Sequence, residues 1–330
     1  MTDNTLDALA QPPKTASRLP TRTAIGFAAL LLLLVGSLTA HFTGHAFYLD
    51  IATRLTILAI AAVSLNLILG YGGMISFGHA AYIGIGAYAV GIPAYYDIYN
   101  GLIQVPIAVG ICALFALVTG AISLRTKGVS FIMITRAFAQ MAFFTMVSLD
   151  EYGGDDGLTI FLRSEIPFLD MEDNLTLFLV CYVSLLAVMF LVHRLINSRF
   201  GMVIRGARSN EARMRAIGYN TYVYRLTAYV IAGAICGYAG ALYANFSSFI
   251  SPDAMAWSRS GELMFMVILG GAGTFFGPLF GTAAFLLLEE VLSGITVHWH
   301  LIFGVLLILA VLFMKGGISG LIRGREGADD

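Results

Sequence analysis

Apolar residues in this chain fall into long runs separated by short polar or glycine-rich breaks. A helix crossing a bilayer needs roughly 20 mainly apolar residues, and about ten such runs are centred near residues 33, 60, 87, 113, 139, 185, 236, 268, 287 and 306. The pattern predicts an all-α polytopic membrane protein of about ten transmembrane helices, with the membrane domain over residues 23–318. Residues 1–22, with Pro12, Pro13 and Pro20, read as a disordered cytoplasmic tail, and 319–330 as a second tail. The first apolar run is long enough to span and lacks a small-residue cleavage site, so the N-terminal segment is not read as a signal peptide.

Composition strengthens that picture. Of 330 residues, 58% are hydrophobic and 12% charged, and the mean hydropathy is +0.82, values outside the range of soluble domains. The net charge of −1 conceals an asymmetry. Lys14, Arg18 and Arg22 place the N-terminus on the cytoplasmic side, because basic residues are retained there. Counting ten crossings puts Arg125, Lys127, the arginine-rich loop after the sixth run, Lys315, Arg323 and Arg325 on that same side. The segment 150–174, with eight acids against Arg163 alone, then lies outside.

Between Arg194 and Arg225 stand seven arginines and one acid, Glu211. Within the loop 197–223, E-A-x-x-x-A-x-G runs from Glu211 and Ala212 through Ala216 to Gly218, the pattern of a short helix ended by glycine. On the cytoplasmic face such a helix is a docking surface.

Two glycine-rich hairpins share the order Ile-Leu-Gly then Phe-Gly: residues 68–88 and residues 268–285. They read either as a short internal repeat or as glycines that let helices approach closely. In both cases Gly70, Gly72, Gly73 and Gly78, and Gly270, Gly271, Gly273 and Gly277, break a straight lipid-facing helix. Irregular backbone at membrane depth is tolerated only where protein or a water-filled cavity covers it. The candidate substrate path is therefore drawn through Gly72, Gly73, Ser76, His79, Thr135, Arg136, Gln140, Gly271 and Gly273. For Asn66, Ser76, His79, Thr135 and Gln140 the alternative is simple bridging between helices.

Arg136 stands close to mid-span in the fifth run, where a cation faces a cavity or a carboxylate rather than lipid. It is either a contact for a substrate anion or half of an ion pair with a buried acid. Glu289 and Glu290, adjacent in the ninth run, point about 100° apart on a helix. Ion coupling, a helix contact and the outer mouth all remain open to them. Cys112, Cys181 and Cys236 fall within spans and read as packed small side chains. His298 and His300 flank Trp299 without a third ligand, so no metal is expected. No Gly-Lys pair exists, which excludes a G-x-x-x-x-G-K-[ST] phosphate loop, and no catalytic constellation is visible.

Taken in order, the segments LNLILGYGGMISFGHAAYIGIGAY (65–88), FAQM (138–141), GGDDGL (153–158), NEARMRAIG (210–218), GYAGALYA (237–244), SPD (251–253) and VILGGAGTFFGPLFG (267–281) resemble the permease subunits of branched-chain amino-acid ABC importers. The match is to the longer M-type subunit of the high-affinity Leu/Ile/Val systems, over nearly the whole chain after residue 50. The resemblance implies a non-enzymatic subunit of a bacterial inner membrane, both termini cytoplasmic, moving branched-chain or similar small amino acids inward by ATP-driven alternating access. It implies as partners a second, homologous permease, two ABC ATPase subunits and a periplasmic substrate-binding protein, besides the bilayer, with no cofactor and no nucleic acid. The docking loop matches the family's coupling helix, with Asn210, Glu211, Ala212, Ala216 and Gly218 at its positions. Relatives also import urea, short amides and aromatic or other carboxylates. Arg136 departs from the aliphatic residue the resemblance implies, which favours an anionic ligand. An ion-coupled secondary carrier, with Glu289 or Glu290 as coupling group, is the alternative of a different class; such a carrier has no need of the docking loop.

Overall fold

The computed structural model describes residues 21–296 apart from Phe168, together with residues 298, 301–306, 308 and 316–323. Residues 1–20 and 324–330 of the two expected tails, Trp299, His300 and Lys315 lie outside the described residues, whereas residues 21–22 and 319–323 of those tails are helical. The helices are α1 (Thr21–Phe42), α2 (Ala46–Asn66, continued by a π-helical turn Leu67–Tyr71), α3 (Ala80–Tyr95), α4 (Gly101–Ser123), α5 (Val129–Val147) and α6 (Asn174–Ile196). They continue as α7 (Arg199–Ser209), α8 (Glu211–Ala216), α9 (Thr221–Ser247), α10 (Trp257–Gly270) and α11 (Gly277–Ile295), with a further helix at Gly317–Arg323. One antiparallel strand pair, β1 (Leu158–Thr159) with β2 (Phe249–Ile250), joins two loops.

Local chemistry starts several of these helices. The side-chain oxygens of Asn100, Asp173 and Asn220 accept hydrogen bonds from the amides of Leu102, Thr176 and Val223, capping α4, α6 and α9. Every centre expected from the apolar runs falls on helical residues, yet among the described residues only seven helices are long and apolar enough to cross a membrane. The shortfall has a physical origin. α3 begins only at Ala80, within the first glycine hairpin, and spans 16 residues. α10 spans 14, because the connection after β2 dives into the bundle: Met255, fully buried, packs against Gly84 near the start of α3. The run centred near 306 is described only in part.

α2, α3 and α9 form the centre. Gly86 of α3 lies against the carbonyl of Gly237, and Gly240 of α9 against the carbonyl of Ile83, so a Cβ at either glycine would collide with backbone. Small residues thus bring two helices to backbone contact, the usual means of association in lipid. The most apolar stretch of α2 is 78% buried, whereas that of α5 is 17% buried. α5 is therefore peripheral within this chain, and Met133, Met141 and Phe144 face outward from it.

Contacts sort the connections into two ends. At one end Lys127 meets Glu211, Arg208 donates to the carbonyl of Gly70, and the Ser319 hydroxyl donates to the carbonyl of Gly270 at 2.7 Å. At the other, β1 pairs with β2, Gly101 N–H donates to the carbonyl of Glu165 at 2.8 Å, and Ser164 N–H donates to Asn245 Oδ1 at 2.7 Å. Among the described residues, the connections from α2 to α11 alternate between the ends, as an up-and-down bundle requires.

Candidate functional site: a helix-pair path and its docking loop

The two glycine hairpins meet each other at the docking-loop end. Asn66 holds them together: its Nδ2 donates to the carbonyl of Thr274 at 3.0 Å, and its Oδ1 accepts from Gly273 N–H at 2.8 Å. Gly70 sits against the Gly273 backbone with no room for a side chain. Gly271 (φ +112°) and Gly273 (φ +81°) occupy backbone that side chains disfavour, and the Thr274 hydroxyl closes the turn on the Gly271 carbonyl at 2.7 Å. Gly72 is buried, whereas Gly73 is exposed beside the Arg208 side chain.

Deeper in the bundle, Ser76, His79 and Thr135 are fully buried in helix packing. Ser76 Oγ accepts from Gly78 N–H at 3.3 Å, His79 Nε2 lies 2.8 Å from Ser64 Oγ, and the Thr135 hydroxyl donates to the carbonyl of Ile132 at 2.9 Å. The residues first grouped as a path thus divide into a packed hairpin interface and a separate outward face on α5. That face carries Arg136, exposed, and Gln140, half-buried one turn further on.

Arg136 stacks on an aromatic ring. Its guanidinium carbon lies 4.4 Å from the centroid of Trp257, the first residue of α10, and Trp257 in turn lies 6.4 Å from Phe77 of the first hairpin. Among the described residues no carboxylate is within ion-pair distance of Arg136. A cation on an aromatic face is stabilised by about 0.5–2 kcal/mol, which offsets part of the cost of charge at membrane depth.

Sequence reading missed a second cation. Arg54, about 12 Å into α2 at the helical rise, donates from Nη2 to both oxygens of Glu289 of α11, at 2.9 and 3.2 Å. The signal was present as one basic and one acidic residue in two different apolar runs. Glu289 is therefore committed to a helix contact, while Glu290 faces outward. Nearby, Arg259 of α10 meets Glu262 at 3.0 Å and Asp253 at 3.5 Å. Among the described residues no three His, Cys, Asp or Glu side chains gather as metal ligands, and the three cysteines are buried and free.

The loop 197–223 folds locally as its pattern predicts, with a short helix ended by glycine. Asn210 Oδ1 accepts from Arg213 N–H at 2.9 Å and caps α8. At the other end Gly218 (φ +98°) donates to the Arg215 carbonyl at 2.9 Å and Tyr219 N–H to the Met214 carbonyl at 3.1 Å, the paired closure of a Schellman motif. Glu211 points inward as a hub. Its carboxylate meets Lys127 at 2.6 Å, Arg215 at 2.5 Å and Arg225 at 3.4 Å, and accepts from Thr221 Oγ1 at 3.2 Å. Burial pushes the Glu211 carboxyl up, but the Lys127 hydrogen bond and the charges of Arg225 and Lys127 outweigh it and hold it below the usual carboxylate value. The outward surface of the loop includes Ala212, Arg213, Arg215, Ala216, Ile217 and Tyr219. A cavity of about 190 Å³ lined by Gly73, Lys127, Phe131, Glu211 and Arg225 joins the first hairpin to this hub.

With this geometry in view, comparison with known proteins is informative. Residues 47–312 match the family model for the branched-chain amino acid transport system permease component. The LivM permease proteins of the high-affinity branched-chain amino acid transport systems of Salmonella typhimurium and Escherichia coli are each 23% identical to it, over 89% of this chain and 75% of theirs. A probable branched-chain amino acid transport permease, LivM, of Methanocaldococcus jannaschii is 26% identical over 78% of this chain and 89% of its own length. No solved structure matches significantly. The matched region runs from α2 past α11 and so contains both glycine hairpins and the docking loop, and the chain belongs to the family of branched-chain amino-acid transport permeases.

Proposed function

We propose that this chain is the transmembrane permease subunit of an ABC importer that moves branched-chain or similar small amino acids inward by alternating access. Two partner ATPases hydrolyse the ATP, a second permease of the same family completes the path, and a periplasmic binding protein delivers substrate. The chain itself is no enzyme. It crosses a bacterial inner membrane about ten times, with both termini and the docking loop in the cytoplasm, where positive charge is retained.

The observation that carries the reading is the construction of the docking loop. A helix of six residues, capped at both ends and pinned by Glu211 to Lys127 and Arg225, presents small residues and Ile217 outward. A rigid, capped helix transmits displacement; a mobile loop absorbs it. Lys127 stands just before α5 and Arg225 within α9, so movement of α8 bears on both helices. The coupling residues then have different duties. Asn210, Glu211 and Gly218 shape the loop, whereas Ala212 and Ala216 meet the ATPase.

Purification of the tagged chain from native membranes tests this. The native chain should bring ATPases and a second permease with it. Ala212→Trp should lose the ATPases alone, because it changes only the outward face, whereas Glu211→Arg should also loosen the loop. A chain that runs alone and moves substrate without ATP would instead be a secondary carrier. The Arg54–Glu289 pair argues against Glu289 as the coupling group of such a carrier, since its carboxylate is already engaged.

Arg136 favours a carboxylate as the transported group. A mid-span cation without an acid partner does not face lipid, so the α5 face lines the path shared with the second permease. The α-carboxylate of an amino acid meets that requirement, and so does another small organic anion. Competition of aliphatic amino acids against aromatic carboxylates in uptake assays separates the two.

A further inference from the structure

A cavity of about 210 Å³ lies between α2, α3, the end of α9, α10, α11 and the segment following β2. It is distinct from the α5 face. On a helix of 3.6 residues per turn, Arg259, Glu262, Leu263 and Met266, which line it, lie roughly opposite Trp257, on which Arg136 stacks. Its volume is several times that of a water, about 30 Å³, and below the roughly 300 Å³ at which drug-sized pockets begin. The space suits a small metabolite.

Its walls are of two kinds. Arg54, Asp253, Arg259 and Glu262 supply charge, and Leu58, Ile83, Met266 and Phe285 supply an apolar surface. Charged side chains on membrane-embedded helices do not face hydrocarbon, so this cavity is wet and reached from the outer end, where Asp253 is 70% exposed. The charges are incompletely satisfied among themselves. Glu289 takes its hydrogen bonds from Nη2 of Arg54 alone, which leaves the other donors of that guanidinium without a partner among the described residues. Two carboxylates, Asp253 and Glu262, share Arg259. With Glu289 there are three acids against two bases. What is missing is an anion for the free edge of Arg54, an ammonium for the excess carboxylate, and a short aliphatic body.

We infer that this cavity is a second site, on the outer side of the permease, for the zwitterion of an aliphatic α-amino acid. Its carboxylate meets Arg54, its ammonium meets Asp253 and Glu262, and its side chain lies against Leu58, Ile83, Met266 and Phe285. The inference rests on the amino-acid importer reading and adds to it a place where this subunit itself holds the substrate before, and apart from, the path at Arg136.

The test uses the complete transporter in nanodiscs, without ATP and without the binding protein, and measures equilibrium binding of radiolabelled L-leucine. The wild-type complex should bind it saturably. Ala254→Phe, which fills the cavity, should abolish binding. Arg54→Gln, Asp253→Asn and Glu262→Gln should each weaken it about ten-fold, the loss expected for a charge-assisted hydrogen bond. Asp253→Asn acts on an exposed side chain, and an unchanged unfolding midpoint for this variant separates its effect on binding from misfolding. Binding that ignores all four changes overturns the site, and so does an aminophospholipid found by native mass spectrometry to be retained by the wild type and released by Ala254→Phe. A complex that takes up leucine in cells yet binds none without its binding protein overturns this site alone; a complex that takes up no leucine overturns the importer reading with it.

Discussion

Arg54 and Arg136 sit at similar depths in apolar helices, about 12 Å and 10.5 Å from the nearer helix end at the helical rise, yet their surroundings differ. Arg54 belongs to a central helix and holds α2 to α11 through Glu289. Arg136 belongs to a helix with little burial inside the chain, and among the described residues it stacks on the ring of Trp257 and has no acid partner. A cation with an acid partner is part of the architecture, and its loss should be felt first in stability. A cation without one is unfinished, and its loss should be felt first in transport.

The largest expected effect breaks the architectural side. Glu289→Leu leaves Arg54 without its carboxylate. Removing one partner of a buried pair costs about 3–5 kcal/mol, reduced here to about 2 kcal/mol because the two side chains are 38% and 19% exposed. Thermal unfolding of the purified complex should show it, and the double change Arg54→Leu with Glu289→Leu should restore most of the loss. If the double variant is no better than the single one, the pair is not what holds α2 to α11.

Arg136→Leu addresses the other side. It should leave the unfolding midpoint within the roughly 1 kcal/mol that an exposed cation–π contact contributes, while raising the KM for uptake of a carboxylate substrate about ten-fold. Unchanged uptake at normal protein level would return Arg136 to a purely structural role.

A third setting sharpens the contrast, because Glu211 is an acid among three bases. Its folded-state pKa lies below the ordinary carboxylate value of 4.5. The carboxylate therefore stabilises the loop fully above that pH, and the stabilisation fades as pH falls through the lower folded value. Hydrogen exchange of the 197–223 amides, corrected for intrinsic rate, should show protection that is constant above the ordinary carboxylate value and that is lost only as pH falls well below it. Equal protection on both sides would mean that the hub does not order the loop. The smallest effect is expected from Gly218→Ala. An alanine at φ +98° costs about 1 kcal/mol, enough to fray α8 and reduce, without abolishing, the recovery of ATPases in the purification.

Much of this protein was legible before any coordinates. The cap at Asn210 and the turn at Gly218 follow from local backbone chemistry, and so they appear where the residues announce them. Helix positions follow from apolar runs for the same reason. Helix lengths did not, because α3 and α10 are shortened by a glycine hairpin and by the dive of Pro252–Met255 against Gly84, events set by a distant partner. The same holds for the candidate path. Ser76, His79, Thr135 and Arg136 stood together as polar residues near broken helices, but a helix turns about 100° per residue. Thr135 is therefore buried against the hairpin while its neighbour Arg136 faces away.

The sequence by itself determined the class of this protein, the places of its helices and the short capped helix at Glu211–Ala216, because hydropathy and capping each act over a few adjacent residues. The tertiary structure decided which charges are paired. Whether Arg54 finds Glu289, some 235 residues away, and whether Glu211 turns inward or outward depend on which helix faces meet, and only the packed bundle sets that.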